Sequence, residues 1–168
     1  KTDLIVGSYG AGTVGGRIYI FYNDGQFSEQ ATGADSIIGA TVLSDQVGIA
    51  LAAGDFNADG RMDFAISGDY HNHVWIFYND GTYPATTATA DVHISGDESA
   101  NFFGRRIVSG DFNADGKTDI AVGADDNTTQ TGRTYVFYAD GTNNYGTASC
   151  TGSLPTTCLA SNADIKIT

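Results

Sequence analysis

The sequence predicts an all-β protein made of repeated units of four short antiparallel strands. Short segments recur along the chain at a nearly constant offset, and the repeated runs are rich in Val, Ile, Phe and Tyr. The 22 glycines, against two prolines, indicate many tight turns between these runs. No stretch shows a helical period over about 11 residues, so helices are not expected to build the fold.

Internal repetition is the strongest organisational signal. The segment GDFNADG begins at Gly54 and again at Gly110, 56 residues later. Phe-Tyr-Asn-Asp occurs at 21–24 and 77–80 with the same offset, and Phe-Tyr-Ala-Asp follows at 137–140. Two further segments are also repeated three times each: Lys/Arg-x-Asp followed by an apolar run at 1–8, 61–68 and 117–124, and Ala-Asp followed by an alternating run at 34–39, 90–96 and 163–168.

The second unit serves as the pattern for the others. Its four predicted strands are Gln46–Ala53, Met62–Ser67, His73–Tyr78 and Asp91–Ser95. Asn79–Gly81 follows the third strand and supplies residues that tolerate positive φ in a tight turn.

Four-stranded antiparallel units with this period are typical of β-propeller blades, which must stack to bury both faces. We predict about three blades: 1–45, which is incomplete because it lacks its innermost strand, 46–101 and 102–168. Propellers close with about four to eight blades. The chain is therefore expected to need further blades from a longer chain or from other copies, and its start inside a repeat favours a piece of a longer protein.

The net charge of −12 argues against a nucleic-acid partner, because such binding depends on Lys and Arg neutralising phosphates. No run of 18 apolar residues predicts a membrane span, and no signal peptide is visible at the start. The acidic excess is interpreted either as ordinary solubility or as carboxylates gathered to bind cations. Six of the 20 acidic residues lie in the two loops Asp55–Asp63 and Asp111–Asp119, which favours the second interpretation in part.

Two nine-residue loops carry a calcium-binding pattern. Oxygen side chains occupy positions 1, 3, 5 and 9, and a glycine at position 6 permits the turn that brings the backbone carbonyl of position 7 close. The predicted ligands are Asp55, Asn57, Asp59, the carbonyl of Arg61 and Asp63 in the first loop, and Asp111, Asn113, Asp115, the carbonyl of Lys117 and Asp119 in the second.

Each loop resembles the first nine positions of an EF-hand loop, but Ile66 and Val122 occupy position 12 and the flanks are strands. An Asp at position 9, binding through both oxygens, would close each site. A single Asp/Asn/Gly loop is more often an ordinary turn. Two near-identical loops with all four side-chain positions filled favour two Ca²⁺ sites. Asp3 stands at position 9 of a third loop whose other ligands are absent, so it is not predicted as a ligand.

The third unit carries an insertion of 13 residues that contains Cys150 and Cys158. With no His nearby for a zinc site, a disulfide between them is favoured over two free thiols, given an extracellular context. The expectation is that it staples an exposed loop with little core of its own. Asn127-Thr128-Thr129 is a sequon, so Asn127 is a possible glycosylation site in a eukaryotic secretory host.

The loops, the period and the predicted strands together resemble the FG-GAP family, the repeat of integrin α-chain propellers and of many bacterial secreted proteins, including VCBS-type repeats. Phe103-Gly104 carries the Phe-Gly of the family, and Val47-Gly48 replaces it in the second unit. The usual Gly-Ala-Pro appears without its proline, as Gly123-Ala124-Asp125 and Ser67-Gly68-Asp69. The resemblance implies a propeller stabilised by structural calcium and used in adhesion or ligand binding.

No residues form a recognisable catalytic motif, so no enzymatic activity is expected. His71, His73 and His93 are expected in loops or facing solvent rather than as ligands. The aromatic residues of the third strands are interpreted as packing between blades, with a sugar-binding platform as the alternative.

The leading functional prediction is an extracellular calcium-binding repeat protein for adhesion or protein interaction. A carbohydrate-binding propeller, or the non-catalytic module of a secreted polysaccharide-acting enzyme, is the second hypothesis. A subunit of an extracellular assembly is the third.

Overall fold

The computed structural model describes residues 2–10, 15–41, 45–68, 72–96, 102–125, 131–140, 145–146, 150 and 156–168. These residues form three β-sheets and three single-turn 3-10 helices. The strands are β1 (Leu4–Ser8), β2 (Arg17–Phe21), β3 (Ser36–Gly39), β4 (Val47–Gly54), β5 (Asp63–Gly68), β6 (His73–Phe77), β7 (Val92–Ser95), β8 (Phe103–Gly110), β9 (Asp119–Ala124), β10 (Arg133–Phe137), β11 (Thr156–Leu159) and β12 (Ile165–Ile167). The 3-10 helices span Ala31–Gly33, Thr87–Thr89 and Ala160–Asn162.

The all-β class predicted from the sequence is confirmed. The first sheet contains β1, β2 and β3 in that order, the second runs β4 to β7, and the third has the order β8, β9, β10, β12, with every pair in this series antiparallel. The observed strands of the second unit lie within one residue of their predicted bounds. Within the described residues the three sheets are not closed into a ring.

The insertion of the third unit contributes a strand that the sequence did not indicate. β11 pairs in parallel with β7, so it belongs to the second sheet although it falls in the 102–168 range. The expectation of a stapled loop with little core is therefore wrong at Cys158, which is completely buried in β11. Pairing satisfies backbone groups on β7 that would otherwise form an open sheet edge.

Two hydrophobic cores hold the three sheets together. One lies between the first and second sheets and includes Ile18, Ile38, Phe64, Ile66 and Phe77. The other lies between the second and third sheets and is built from side chains of both: Ala65, Val74, Ile76, Val92, Ile94, Ile120, Val122, Tyr135 and Phe137. Successive side chains along a strand point to opposite faces of the sheet. Those of the second sheet therefore alternate between the two cores.

A glycine bulge joins each sheet to the one before it. Gly48 and Gly104 both have φ of +99°. Both lie where the first strand of the sheet, β4 or β8, shifts register against the next strand. A Cβ on Gly104 would lie 2.9 Å from the Cβ of Ser67 and 3.0 Å from the carbonyl oxygen of His73 in the preceding sheet. Gly48 makes the same approach to the first sheet, so Val47-Gly48 and Phe103-Gly104 perform one packing role.

Candidate calcium loops

The two predicted calcium loops occupy equivalent places at the same end of neighbouring sheets. The first connects β4 to β5, and the second connects β8 to β9. Gly60 and Gly116, at position 6, both have φ of +84°, as the sharp turn predicted there requires. Ala58 and Ala114, at position 4, also lie in the left-handed region at φ of 60° and 63°, a conformation that the sequence did not suggest for alanine.

Positions 1, 3 and 5 of the first loop converge on a shared set of backbone donors. The N–H of Asp59 donates to Asp55 Oδ1 at 3.0 Å and to Asn57 Oδ1 at 3.1 Å, which places these two oxygens beside each other. Asp55 Oδ2 accepts from Gly60 N–H at 2.9 Å, and Asp59 Oδ1 accepts from Arg61 N–H at 2.8 Å. The loop backbone therefore turns around its own oxygen side chains.

The second loop repeats this arrangement bond for bond. The N–H of Asp115 donates to Asp111 Oδ1 at 3.1 Å and to Asn113 Oδ1 at 2.9 Å. Gly116 N–H and Lys117 N–H donate to Asp111 Oδ2 and Asp115 Oδ1, each at 2.9 Å. The two segments thus share a local structure as well as a sequence.

Position 9 has a clamping role that the sequence did not reveal. The buried carboxylate of Asp63 accepts from Phe56 N–H at 2.9 Å and Asn57 N–H at 3.3 Å through Oδ2, and from Asn79 N–H at 2.8 Å through Oδ1. Asp119 likewise accepts from Phe112 N–H at 2.8 Å and Ala139 N–H at 2.9 Å. Both carboxylate oxygens of each aspartate therefore accept hydrogen bonds from backbone N–H groups. The sequence predicts instead that both oxygens bind the metal ion.

A second aspartate clamp recurs beside the first in every unit. The N–H groups of Tyr22, Tyr78 and Tyr138 each donate at 2.7 Å to an aspartate that precedes the outer strand, namely Asp35, Asp91 and Asp164. The next N–H along the chain goes to the position-9 aspartate, and Asp3 fills this role in the first unit by accepting from Asn23 at 2.8 Å. The Phe-Tyr-x-Asp and Ala-Asp repeats are the sequence signal of this double clamp.

The charge balance differs between the two loops. Lys117 Nζ lies 3.6 Å from Asp115 Oδ2, whereas the Arg61 guanidinium donates to the carbonyl of Asn79 at 3.2 Å. Burial raises the pKa of the Asp63 carboxyl, while its backbone hydrogen bonds oppose that rise. The hydrogen bond from Lys117 N–H lowers the pKa of Asp115.

The donor chemistry of both loops fits a hard divalent cation. Each loop offers three carboxylates, one amide oxygen and the backbone carbonyl of position 7, and calcium takes 6–8 oxygen ligands in general. In the described part of the chain, however, no three His, Cys, Asp or Glu side chains form a preassembled metal-ligand cluster. The carboxylates of Asp63 and Asp119 accept hydrogen bonds from backbone N–H groups.

The phenylalanine at position 2 distinguishes the two loops. Phe56 is 1% exposed and belongs to the core between the second and third sheets. Phe112 is 45% exposed, because no further sheet covers it among the described residues. The same residue type in the same loop is thus a core side chain in one unit and a surface side chain in the next.

The remaining predicted sites fall into three groups. Cys150 and Cys158 form a disulfide. Asn127 and His71 lie outside the described residues. His73 and His93 are half-buried on β6 and β7 rather than in loops, with His93 Nε2 2.9 Å from His73 Nδ1, so the expectation of solvent-facing histidines is wrong for this pair. The two side chains share a face of the sheet because β6 pairs with β7 so that Trp75, two residues after His73, lies opposite His93.

Two aromatic side chains of the third strands, Trp75 and Tyr135, are packed inside the protein. Trp75 is 5% exposed and stacks on His93 with ring centroids 5.6 Å apart. Tyr135, at the equivalent place in the third sheet, is fully buried and has Lys166 Nζ 5.2 Å from its ring centroid. These two rings are unavailable as a sugar-binding platform.

The fold and loops define an all-β repeat protein in which each sheet docks on the one before it through a glycine bulge. The model of the FG-GAP-like repeat matches residues 1–66 and 55–122. The chain belongs to the FG-GAP-like repeat family. No curated protein matches it at a significant level.

Membership in this family indicates a protein-interaction or adhesion type of module, and FG-GAP repeats are typically extracellular. The disulfide agrees with that location, since such bonds persist in oxidising compartments. No helix among the described residues has the length and apolar character to cross a membrane.

Proposed function

We propose that the chain is a calcium-stabilised interaction module of a secreted protein, and that it acts by binding other proteins without catalysing a reaction. The observation that carries this proposal is the duplication of one loop structure, with one donor set, at the same end of two neighbouring sheets. Ordinary surface turns do not need to preserve every oxygen ligand type in this way.

The ligands would be Asp55, Asn57 and Asp59 of the first loop, with the Arg61 carbonyl and Asp63 completing it. In the second loop they would be Asp111, Asn113, Asp115, the carbonyl of Lys117 and Asp119. A bound calcium ion supplies positive charge that offsets the repulsion between the clustered carboxylates. The chain's own contribution is to hold those oxygens together, which it does through the backbone N–H groups of positions 5, 6 and 7.

The consequence for function is rigidity of the sheet ends. Each loop joins the innermost strand of its sheet to the second strand, and position 9 ties the loop to the end of the third strand. A metal at positions 1 to 9 would therefore fix three strands relative to one another. Such pre-organisation lowers the ordering cost of binding a partner.

Thermal unfolding tests the calcium proposal. We expect the midpoint to rise by several degrees when calcium is added in excess over EDTA, because a ligand that binds only the folded state stabilises it. The matched control is the double variant Asp55→Asn and Asp111→Asn, which should not respond. Equal midpoints for the unsubstituted chain in calcium and in EDTA would contradict the proposal.

We further propose that the partner at the open face of the third sheet is another repeat unit of the same type. Ile165 and Ile167 on this face are equivalent to Val92 and Ile94 of the second sheet, which are completely buried in the core shared with the third unit. Ile167 is 58% exposed, whereas Ile94 is 0% exposed. The face also carries a groove of about 370 Å³, whose lining includes Gly123, Arg133 and Thr134, the equivalents of the residues that contact the Gly104 bulge.

The outer face of the first sheet is also uncovered among the described residues, and Leu4, Val6 and Ile37 are exposed there. This face and the open face of the third sheet would form the two sides of a head-to-tail contact. In the purified chain, the available units are other copies, so head-to-tail association that increases with concentration is expected. Light scattering after size exclusion tests this, with Ile167→Asp as the variant expected to be monomeric. A monomer over the whole concentration range in the unsubstituted chain would contradict this part of the proposal. A module that serves as a subunit of an extracellular assembly would use the same faces.

A further inference from the structure

The insertion of the third unit reaches across to the first calcium loop. Tyr145 is completely buried, and its hydroxyl donates to the backbone carbonyl of Phe56 at 3.0 Å. Phe56 is position 2 of that loop, and its N–H already donates to Asp63. Both backbone polar groups of Phe56 are therefore held, one by the loop's own aspartate and one by a residue of the neighbouring unit.

The surroundings of Tyr145 show that this contact is part of a packed cluster. Its hydroxyl is also hydrogen-bonded to that of Tyr78, which follows β6 of the second sheet. Burial raises the pKa of Tyr145, and the nearby negative charge of Asp63 raises it further, so the hydroxyl keeps its proton and remains a donor. Phe56 and Tyr145 share the core between the second and third sheets.

The disulfide anchors this cluster. The N–H of Tyr145 lies 3.4 Å from Cys150 Sγ, and Cys150 is bonded to Cys158 in β11. β11 pairs with β7 of the second sheet, with Cys158 opposite Ile94. A covalent bond thus fixes the segment that carries Tyr145 to the same sheet that carries the first loop.

The second loop has no such support in the described part of the chain. Phe112 keeps the bond from its N–H to Asp119, but among the described side chains none donates to its carbonyl, and its ring is exposed. The two loops therefore share the hydrogen bonds that hold positions 1, 3 and 5 and differ in the contact made to position 2.

We propose that Tyr145, held by the Cys150–Cys158 disulfide, is a positioning residue that orders the first loop and raises its calcium affinity above that of the second. The part concerning affinity rests on the proposed calcium function, whereas the part concerning loop order does not. The contact would make the two sites inequivalent even though their ligand sets are identical.

Amide hydrogen exchange without calcium tests loop order, and Tyr145→Phe is the variant because it removes only the hydroxyl. We expect exchange within 55–63 to become about three- to tenfold faster, and exchange within 111–119 to stay unchanged. Tyr9→Phe, at an exposed tyrosine, is the control that should alter neither loop. The pair Cys150→Ser and Cys158→Ser should reproduce the selective effect; if that chain does not fold, Tyr145→Phe alone decides.

Calcium titration tests affinity for each loop separately. In the Asp111→Asn background, which leaves the first loop, Tyr145→Phe should weaken calcium binding about three- to tenfold. In the Asp55→Asn background, the same change should have no effect on the second loop. No change in either loop, or equal changes in both, would overturn the inference. If Tyr145→Phe speeds amide exchange only within 55–63 and the chain binds no calcium, the ordering of the first loop by Tyr145 is supported and the proposed calcium function is wrong.

Discussion

The second and third repeat units have nearly the same sequence pattern but different surroundings. The second is covered on both faces, so Phe56, Val92 and Ile94 are fully buried. The third is covered on one face, and the equivalent residues, Phe112, Ile165 and Ile167, are exposed. The contribution of a side chain at a given repeat position to stability therefore depends on whether a neighbouring unit covers it, and not on the sequence of its own unit alone.

The comparison also separates local from non-local structure. Hydrogen bonds within the two loops agree closely in partners and length, as do the positive φ values at positions 4 and 6. What differs is the contact that position 2 makes with the neighbouring unit, because Phe56 is buried against it and Phe112 is exposed. Substitutions at matched positions should therefore give unequal effects where a neighbour is involved and equal effects where it is not.

The largest difference is expected at position 2 of the loops. Phe56→Ala should lower the free energy of unfolding by about 3–5 kcal/mol, because it opens a cavity in a closed core. Phe112→Ala should cost less than about 1 kcal/mol, because its ring already faces solvent. Urea unfolding of the two variants measures both. Similar losses would mean that Phe112 is also covered in solution.

A smaller difference is expected on the outer strands. Ile94→Ala should cost about 2–5 kcal/mol, since the side chain lies in the core between the second and third sheets. Ile167→Ala, at the equivalent place on the open face, should cost less than about 1 kcal/mol in dilute solution. Repeating the unfolding at high protein concentration sharpens the test, because association through this face should increase the cost of Ile167→Ala alone.

The second unit should be more sensitive to acid than the third. Burial, together with the charge of His73, lowers the pKa of His93 to about 4, and Lys166 occupies the equivalent place in the third unit. Because the unfolded chain protonates this imidazole at about pH 6.5, stability should fall as pH decreases from about 6.5 to about 4 and show no further loss from His93 below that. The expected size is on the order of 1–3 kcal/mol.

His93→Gln is the matched control for the acid effect. The difference in unfolding free energy between this variant and the unsubstituted chain should change over that pH range and be constant above pH 7. A difference that does not vary with pH would show that His93 titrates normally in the folded chain. Comparing the two chains cancels the contribution of carboxylates such as Asp91, whose pKa burial raises.

The smallest effect should be the same in both units. Ala58 and Ala114 adopt positive φ, so Ala58→Gly and Ala114→Gly should each stabilise the chain by about 0.5 kcal/mol. Thermal unfolding of the two variants checks this. Unequal changes would indicate that the loop backbones differ, contrary to their shared hydrogen bonds.

Much of the fold was predictable because its signals are local. The four strands of the second unit, the three strands of the first sheet and the turn glycines follow from alternation and from residues that tolerate positive φ. β11 was not predictable, since Thr156–Leu159 reads as part of an insertion and its pairing with β7 of another sheet is set by tertiary contact. The disulfide was predicted, but the burial of Cys158 was not.

The candidate site was predictable in composition but not in its connections. The spacing of residue types predicts ligands at positions 1, 3, 5, 7 and 9, which stay predictions, and a turn glycine at position 6, which the structure shows at positive φ. The clamp function of Asp63 and Asp119 was missed because it depends on N–H groups 16 and 20 residues away. The contact between Tyr145 and Phe56 spans 89 residues, so no local pattern signals it.

The function proposed for this chain depends most directly on whether each loop binds one calcium ion. Isothermal titration of the calcium-free chain should give two sites per chain. Asp55→Asn and Asp111→Asn should each leave one site, and the double variant should leave none. An unsubstituted chain that shows no binding at millimolar calcium, or a double variant that binds as well as the original, would contradict the central claim.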